Sequence, residues 1–229
     1  MENKILVVVT NQDKYSTTTG DPAGLWLGEL THFYDVLHEA NIKMDIASVL
    51  GGSIPLDPAS ISERMLDKQT KEYYENSEFM ALLQNTLKTS DLNAQDYSAI
   101  YFTGGHATMW DFPDSEDLQR LSRQIYENGG IVSAVCHGVG ALLNIKIEDG
   151  TLLIKDKTVT GYSNNEEVLG KALEKIPFKL EDELKNRGAN YKKALIPFTS
   201  YVVADGRVIT GQNPQSTKEI AEKVLAALK

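Results

Sequence analysis

The chain has 229 residues, 41% hydrophobic and 24% charged, an ordinary globular composition with enough length to bury a sizeable core. Its formal net charge of −9 argues against nucleic acid or an anionic membrane as a partner, because both attract Lys and Arg. A single cysteine allows neither an internal disulfide nor a Cys-x-x-Cys metal spacing, so a reducing cytoplasm is the expected compartment.

The apolar run Ile5 to Val9 is too short for a signal-peptide core or a membrane span and reads as a buried parallel strand. A polar loop follows, with turn chemistry at Thr19 to Pro22. Leu25, Trp26, Leu30, Phe33, Tyr34 and Leu37 keep the three-and-four spacing of a helix between Leu25 and Ala40. "KMDIASV" alternates like a strand and ends at the turn residues of "LGGSIPLDP". Residues 59–95 are polar and largely helical in pattern, with one amphipathic stretch, "FMALLQNTL". Lying between two core strands, they are expected to form a small cap inserted at the strand ends.

"AIYFTGG" predicts the next buried strand, Ser115 to Asn128 a helix, and "GGIVSAV" a strand that runs straight into the helix start "CHGVGALLN". "LLIKDKTVTG" and "VVADGRVITG" each look like a hairpin, the second turning at Asp205-Gly206. "NPQSTKEIAEKVLAAL" closes the chain as an amphipathic helix with Pro214 near its start. Alternation of this kind predicts an α/β fold over residues 1–229: one domain, a parallel sheet with helices on both faces.

Ligands of such sheets bind at the carboxyl ends of the strands, where Cys136 falls. Ala134, Val135, Cys136, His137 and Gly138 form a loose small-x-Cys-x-Gly version of the strand-turn-helix elbow that exposes a nucleophile. The helix start predicts a depressed thiol pKa. The alternative is a small buried hydrophobe, a common fate for a free cysteine. His137 reads either as the base or as a spacer, and spacing does not identify an acid to orient it.

Six stretches in order carry a family resemblance: "GLWLGELTHFYDVL", "DYSAIYFTGGHATMWDFPD", "GGIVSAVCHGVGALLN", "VTGYSNNEE", "PFKLEDELKNRGA" and "DGRVITGQNPQS". Together they resemble the ThiJ/PfpI superfamily, with its flavodoxin-like, class I glutamine amidotransferase-like sandwich, over roughly residues 3–227. The "FTGGHATMWDFPD" stretch and the cap point to the branch of glutathione-independent glyoxalase III enzymes and heat-inducible chaperones. The resemblance implies Cys136 as nucleophile, His137 as the adjacent triad histidine and Glu29 as a protonated carboxyl beside the sulfur. It matches Glu167 to the triad acid, with Glu166 still open. It also implies a backbone N–H from Gly104 and Gly105 for an oxyanion, His106 as pocket lining, and Trp110 as a wall or ligand contact. Gly28, Phe33 and "LIPFT" at residues 195–199 depart from the branch, which often has a second glutamate, a proline and a tryptophan-containing stretch there.

The implied activity is conversion of a 2-oxoaldehyde such as methylglyoxal to a 2-hydroxy acid such as D-lactate by a glyoxalase III-type lyase. No metal and no cofactor is expected, and G-x-G-x-x-G and the Walker pattern are both absent. Other readings are a protein deglycase, a small amidase or peptidase, a holding chaperone acting on unfolded or glycated proteins, and a cysteine redox sensor. A homodimer is the expected assembly. Glutamine amidotransfer is not the expected activity, because its late His-x-Glu pattern is absent: no histidine follows His137.

Overall fold

Strand β1 (Lys4–Val9) is apolar throughout because both of its faces are covered: Leu6 and Val8 enter one core cluster, Ile5, Val7 and Val9 the other. The structure is a computed structural model that describes residues 3–15 and 20–229; Thr19, the first residue of the expected turn, lies outside them. Next come α1 (Leu27–Glu39), β2 (Lys43–Ser48), α2 (Lys68–Glu75), α3 (Ser77–Gln84), β3 (Leu87–Lys88) and β4 (Ala99–Phe102). After α4 (Thr108–Asp111), α5 (Glu116–Glu127) and β5 (Ile131–Val135), the chain tightens into a 3₁₀ helix at Cys136–Leu142. Then follow β6 (Thr158–Val159), α6 (Asn164–Gly170), α7 (Leu180–Asn186), β7 (Asn190–Tyr191), β8 (Val202–Asp205), β9 (Val208–Gly211) and α8 (Thr217–Ala227).

Seven strands form one sheet in the order β3-β2-β1-β4-β5-β9-β8, parallel except for β8 at one edge. Helices α1 and α8 cover one face with Leu30, Phe33, Leu37, Ile220 and Val224, and α5, α7 and the 3₁₀ helix cover the other. The α/β sandwich read from the sequence is the fold. Among the described residues, no helix is long and apolar enough to cross a membrane.

Within residues 59–95, the α2–α3 part packs along α1, while residues 89–95 pack against α5, where the Arg120 guanidinium donates to the Thr89 and Leu92 carbonyls. Asp67 pairs with His32 at 2.7 Å, the Tyr73 hydroxyl donates to Asp35 at 2.8 Å, and Phe79 meets the ring of Tyr34. Their strand β3 extends the sheet beside β2. Contact toward the strand ends is made by Ser60, whose hydroxyl reaches the Leu25 carbonyl.

The hairpin expected at residues 152–161 does not form. Leu153 and Ile154 are buried in succession rather than in alternation, Asp156 has φ of +61°, and β6 pairs in parallel with the distant β7. The second hairpin is present, with Asp205 paired to Val208 across a two-residue turn at Gly206-Arg207, one position later than expected.

One contact of the α1 face bears directly on the site. Phe33 and Tyr101 are fully buried and stack with centroids 3.7 Å apart and planes 6° from parallel. The Tyr101 hydroxyl then donates to the Glu29 carbonyl at 2.8 Å, fixing α1 against β4. Phe33→Ala should therefore lower unfolding free energy by ~3–5 kcal/mol in chemical denaturation. A loss below ~1 kcal/mol would show that the stack is not a keystone of this face.

Candidate active site

Cys136 is the first residue after β5 and has φ of +56°, an unusual conformation for a residue with a side chain. Two glycines make that bend feasible. A Cβ on Gly138 would stand 2.2 Å from the Thr103 carbonyl oxygen, so the turn closes only without one. A Cβ on Gly104 would stand 2.6 Å from Glu29 Oε2 and 3.0 Å from Cys136 Cβ, so Gly104 is the gap in which carboxyl and sulfur meet. The small residues around the cysteine thus have steric causes at the strand ends.

Glu29 lies in the first turn of α1 and is completely buried. Its Oε2 accepts the Gly104 N–H at 2.6 Å, while Oε1 is buried and has no hydrogen-bond partner among the described residues. Burial raises its pKa to about 8, although interactions with the Cys136 thiol and the Gly104 N–H pull the other way. The group is therefore mostly neutral at pH 7. The Gly104 N–H, expected to serve an oxyanion, is committed to this carboxyl.

The expected depression of the Cys136 pKa is reversed. Burial pushes the thiol up and a charged Glu29 would push it further, against the stabilising His137 N–H. His137 adds no cation, because burial and the neighbouring His106 hold its pKa below the ordinary value. The resting sulfur is a thiol, and the arrangement supplies a route for its proton. His137 Nδ1 lies 3.4 Å from Cys136 Sγ, and its Nε2 lies 2.6 Å from Glu167 Oε1. Burial alone would raise Glu167, but His137 and the hydrogen bonds from His106 and His137 outweigh it and hold its pKa at about 2.

The structure separates the two adjacent glutamates. Glu166 closes a capping box with Ser163 through Oε2, and its Oε1 accepts from the Phe198 N–H and from Asn213, both at 2.9 Å. It ties the 195–199 loop to α6, while Glu167 turns toward His137. His106 is more than lining: Nε2 lies 3.2 Å from Glu167 Oε2, and Nδ1 lies 3.0 Å from the hydroxyl of Tyr15. Trp110 meets the edge of Tyr15 at 5.9 Å between centroids. Gly105 has φ of +105°, and a Cβ on it would strike the Gly24 carbonyl.

Sequence reasoning missed Tyr15, which lies in a polar loop without periodicity, and Tyr162, whose ring is 4.4 Å from that of His137. Only the "TGY" stretch hinted at Tyr162. Phe198, in the stretch that departs from the branch, lies 6.4 Å from Tyr162, so an aromatic still borders the site. For a metal, His106, His137 and Glu167 have suitable ligand atoms, all within 4.8 Å of one another.

The raised pKa of Glu29 has a signed consequence for stability. The folded value is about 8 against an ordinary 4.5, so the folded state holds this proton more tightly than the unfolded chain. Its contribution is complete below about pH 4.5 and is lost as pH rises through 8. Relative to Glu29→Gln, the wild-type chain should lose on the order of a few kcal/mol between pH 5 and pH 8, at about 1.4 kcal/mol for each pH step over which only the folded state keeps the proton. Urea titrations of both proteins across this range measure the difference, and parallel profiles would show that Glu29 ionises normally.

A model of the DJ-1/PfpI family matches residues 27–227. The chain is 34% identical to Glyoxalase 3 of Candida albicans over 98% of each chain. It superposes on the crystal structure of glyoxalase III from Candida albicans with a TM-score of 0.92 at 32% identity, covering 98% of this chain and 97% of that one. On the Rapid Encystment Protein 24 kDa of Francisella tularensis it superposes with a TM-score of 0.94 at 39% identity, over 99% of both. A cysteine elbow at the sheet's carboxyl edge and full-length likeness to these proteins lead to one assignment: this chain belongs to the DJ-1/PfpI family.

Proposed function

We propose that this chain is a glutathione-independent glyoxalase that converts small 2-oxoaldehydes, such as methylglyoxal, to 2-hydroxy acids, such as lactate. The observation that carries this reading is a neutral, buried carboxyl beside the only cysteine, with a histidine–carboxylate pair on the sulfur's other side. Full-length relatives named as glyoxalases support it.

Cys136 Sγ attacks the aldehyde carbon as its proton passes to His137 Nδ1, and Glu29 protonates the oxygen to give a hemithioacetal. Glu29, now ionised, takes the hydrogen from that carbon while His137 returns its proton to the neighbouring oxygen, giving an enediol. Glu29 delivers that proton to the second carbon and takes back the hydroxyl proton from the first, which leaves a thioester on Cys136 and restores the neutral acid. Water, deprotonated by His137, hydrolyses the thioester; the acid departs and the thiol is restored. One aldehyde and one water give one 2-hydroxy acid, so no external oxidant or reductant is needed. A carboxyl poised near pH 8 both donates and accepts in this cycle at low cost. With the Gly104 N–H engaged by Glu29, the Gly105 N–H is the donor we assign to the substrate oxygen.

A second reading rests on the exposed apolar side chains of Val168, Leu169, Leu195 and Ile196, which suit contact with unfolded or glycated proteins. The two readings part at Cys136→Ala. Purified wild-type chain should form lactate from methylglyoxal without glutathione, and Cys136→Ala should abolish this while leaving any suppression of client aggregation intact. Glu29→Gln should still form the adduct but lose ~10²–10⁴ in turnover, and Glu167→Ala should be milder than loss of the sulfur. Lactate formation unchanged in Cys136→Ala would overturn the enzymatic reading.

A further inference from the structure

The triad does not end at Glu167. A continuous hydrogen-bond chain runs from Cys136 Sγ to His137 (3.4 Å), to Glu167 Oε1 (2.6 Å), from Glu167 Oε2 to His106 Nε2 (3.2 Å), and from His106 Nδ1 to the Tyr15 hydroxyl (3.0 Å). The outer end lies on the loop after β1. That loop is held to itself by the Tyr15 N–H on the Asp21 carbonyl and the Ala23 N–H on the Asp13 carbonyl. It is held to the segment after α6 by Lys175, which pairs with Asp21 at 2.9 Å and lies 5.4 Å from the Tyr15 ring centre.

We propose that Tyr15 and His106 are positioning residues that clamp Glu167 and so fix the tautomer of His137 for proton transfer from Cys136. The argument is one of donors and acceptors. Glu167 is ionised and can only accept, so each ring must present an N–H to it. For His106 this places a proton on Nε2 whether the ring is neutral or charged. In the neutral ring Nδ1 is then a lone pair, and the Tyr15 phenol is its donor; burial holds that phenol above its ordinary pKa and therefore protonated. For His137, a proton on Nε2 leaves the Nδ1 lone pair facing the sulfur, as a base for the thiol requires.

Without His106, one oxygen of a buried carboxylate would lose its partner, and Glu167 would hold His137 by a single bond about which the carboxylate can turn. Without the Tyr15 hydroxyl, neutral His106 can move its proton to Nδ1, which sets two lone pairs against each other at Glu167.

The kinetic part of the test rests on the glyoxalase reading; the spectroscopic part does not. With full-length protein and methylglyoxal, His106→Leu should lower kcat about tenfold with KM within about twofold, as expected for one lost buried hydrogen bond. Tyr15→Phe should lower kcat less, and His106→Gln, whose amide reaches the place of Nε2–H, should recover most of it. In proton NMR the downfield N–H signal of His137 should persist in wild type and His106→Gln and shift or vanish in His106→Leu. A rise in KM alone would make His106 a wall of the pocket and overturn the proposal, as would a fall in kcat with the His137 signal unmoved. If His106→Leu does not fold, Tyr15→Phe, which removes a single hydroxyl, decides by the same readouts. If the wild-type chain does not turn over 2-oxoaldehydes, the functional reading fails and the His137 signal still decides the clamp.

Discussion

A carboxyl group without water, set against a sulfur atom, is the constraint on which the rest of this molecule turns. Glu29 can be buried at the end of β4 only because Gly104 has no side chain and gives up its N–H at 2.6 Å. It stays there because Tyr101 holds the Glu29 carbonyl and Phe33 stacks on Tyr101. The parallel sheet therefore does more than carry a nucleophile at its edge. It brings α1, β4 and β5 together so that an acid and a thiol, each pushed toward its neutral form by burial, share one small space.

The second organising effect is the division of labour among three glutamates. Glu29 is driven up to about 8 by burial, against the Gly104 N–H and the Cys136 thiol; Glu167, between two histidines, is driven down to about 2. Their environments push the two pKa values apart, which suits one to move protons and the other to hold charge and orient a base in the proposed reaction. Glu166, next in sequence to Glu167, has four hydrogen-bond donors of its own and serves the backbone around α6. A shift of one residue in the helix register would exchange these last two roles.

Much of the architecture was legible because it depends on local periodicity. The unbroken apolar run of β1 and the three-and-four spacing of α1 are short-range signals, and each was answered by the expected element. Residues 152–161 misled because two apolar stretches around a polar turn do not say which strand is the partner, and the partner of β6 lies some thirty residues on. The cysteine elbow was readable in five residues, whereas Glu29 and Glu167 were named only through the family resemblance. Local reasoning also missed the direction of the thiol pKa: it counted a helix start beside Cys136 but could not see that burial and a distant carboxyl would dominate. Tyr15 and the second bond of His106 left no pattern at all, since a polar loop and a lone histidine carry no periodic signal.

The most direct test of this account is the protonation state of Glu29 at neutral pH, read by infrared spectroscopy as the difference between wild-type protein and Glu29→Gln. The account predicts a carbonyl stretch of a buried, protonated carboxylic acid in the wild type at pH 7, absent from the variant and fading as pH rises through about 8. A wild-type spectrum at pH 7 showing only carboxylate at this position would contradict it, because a charged Glu29 could not protonate the substrate oxygen and would repel the thiolate that the reaction must form.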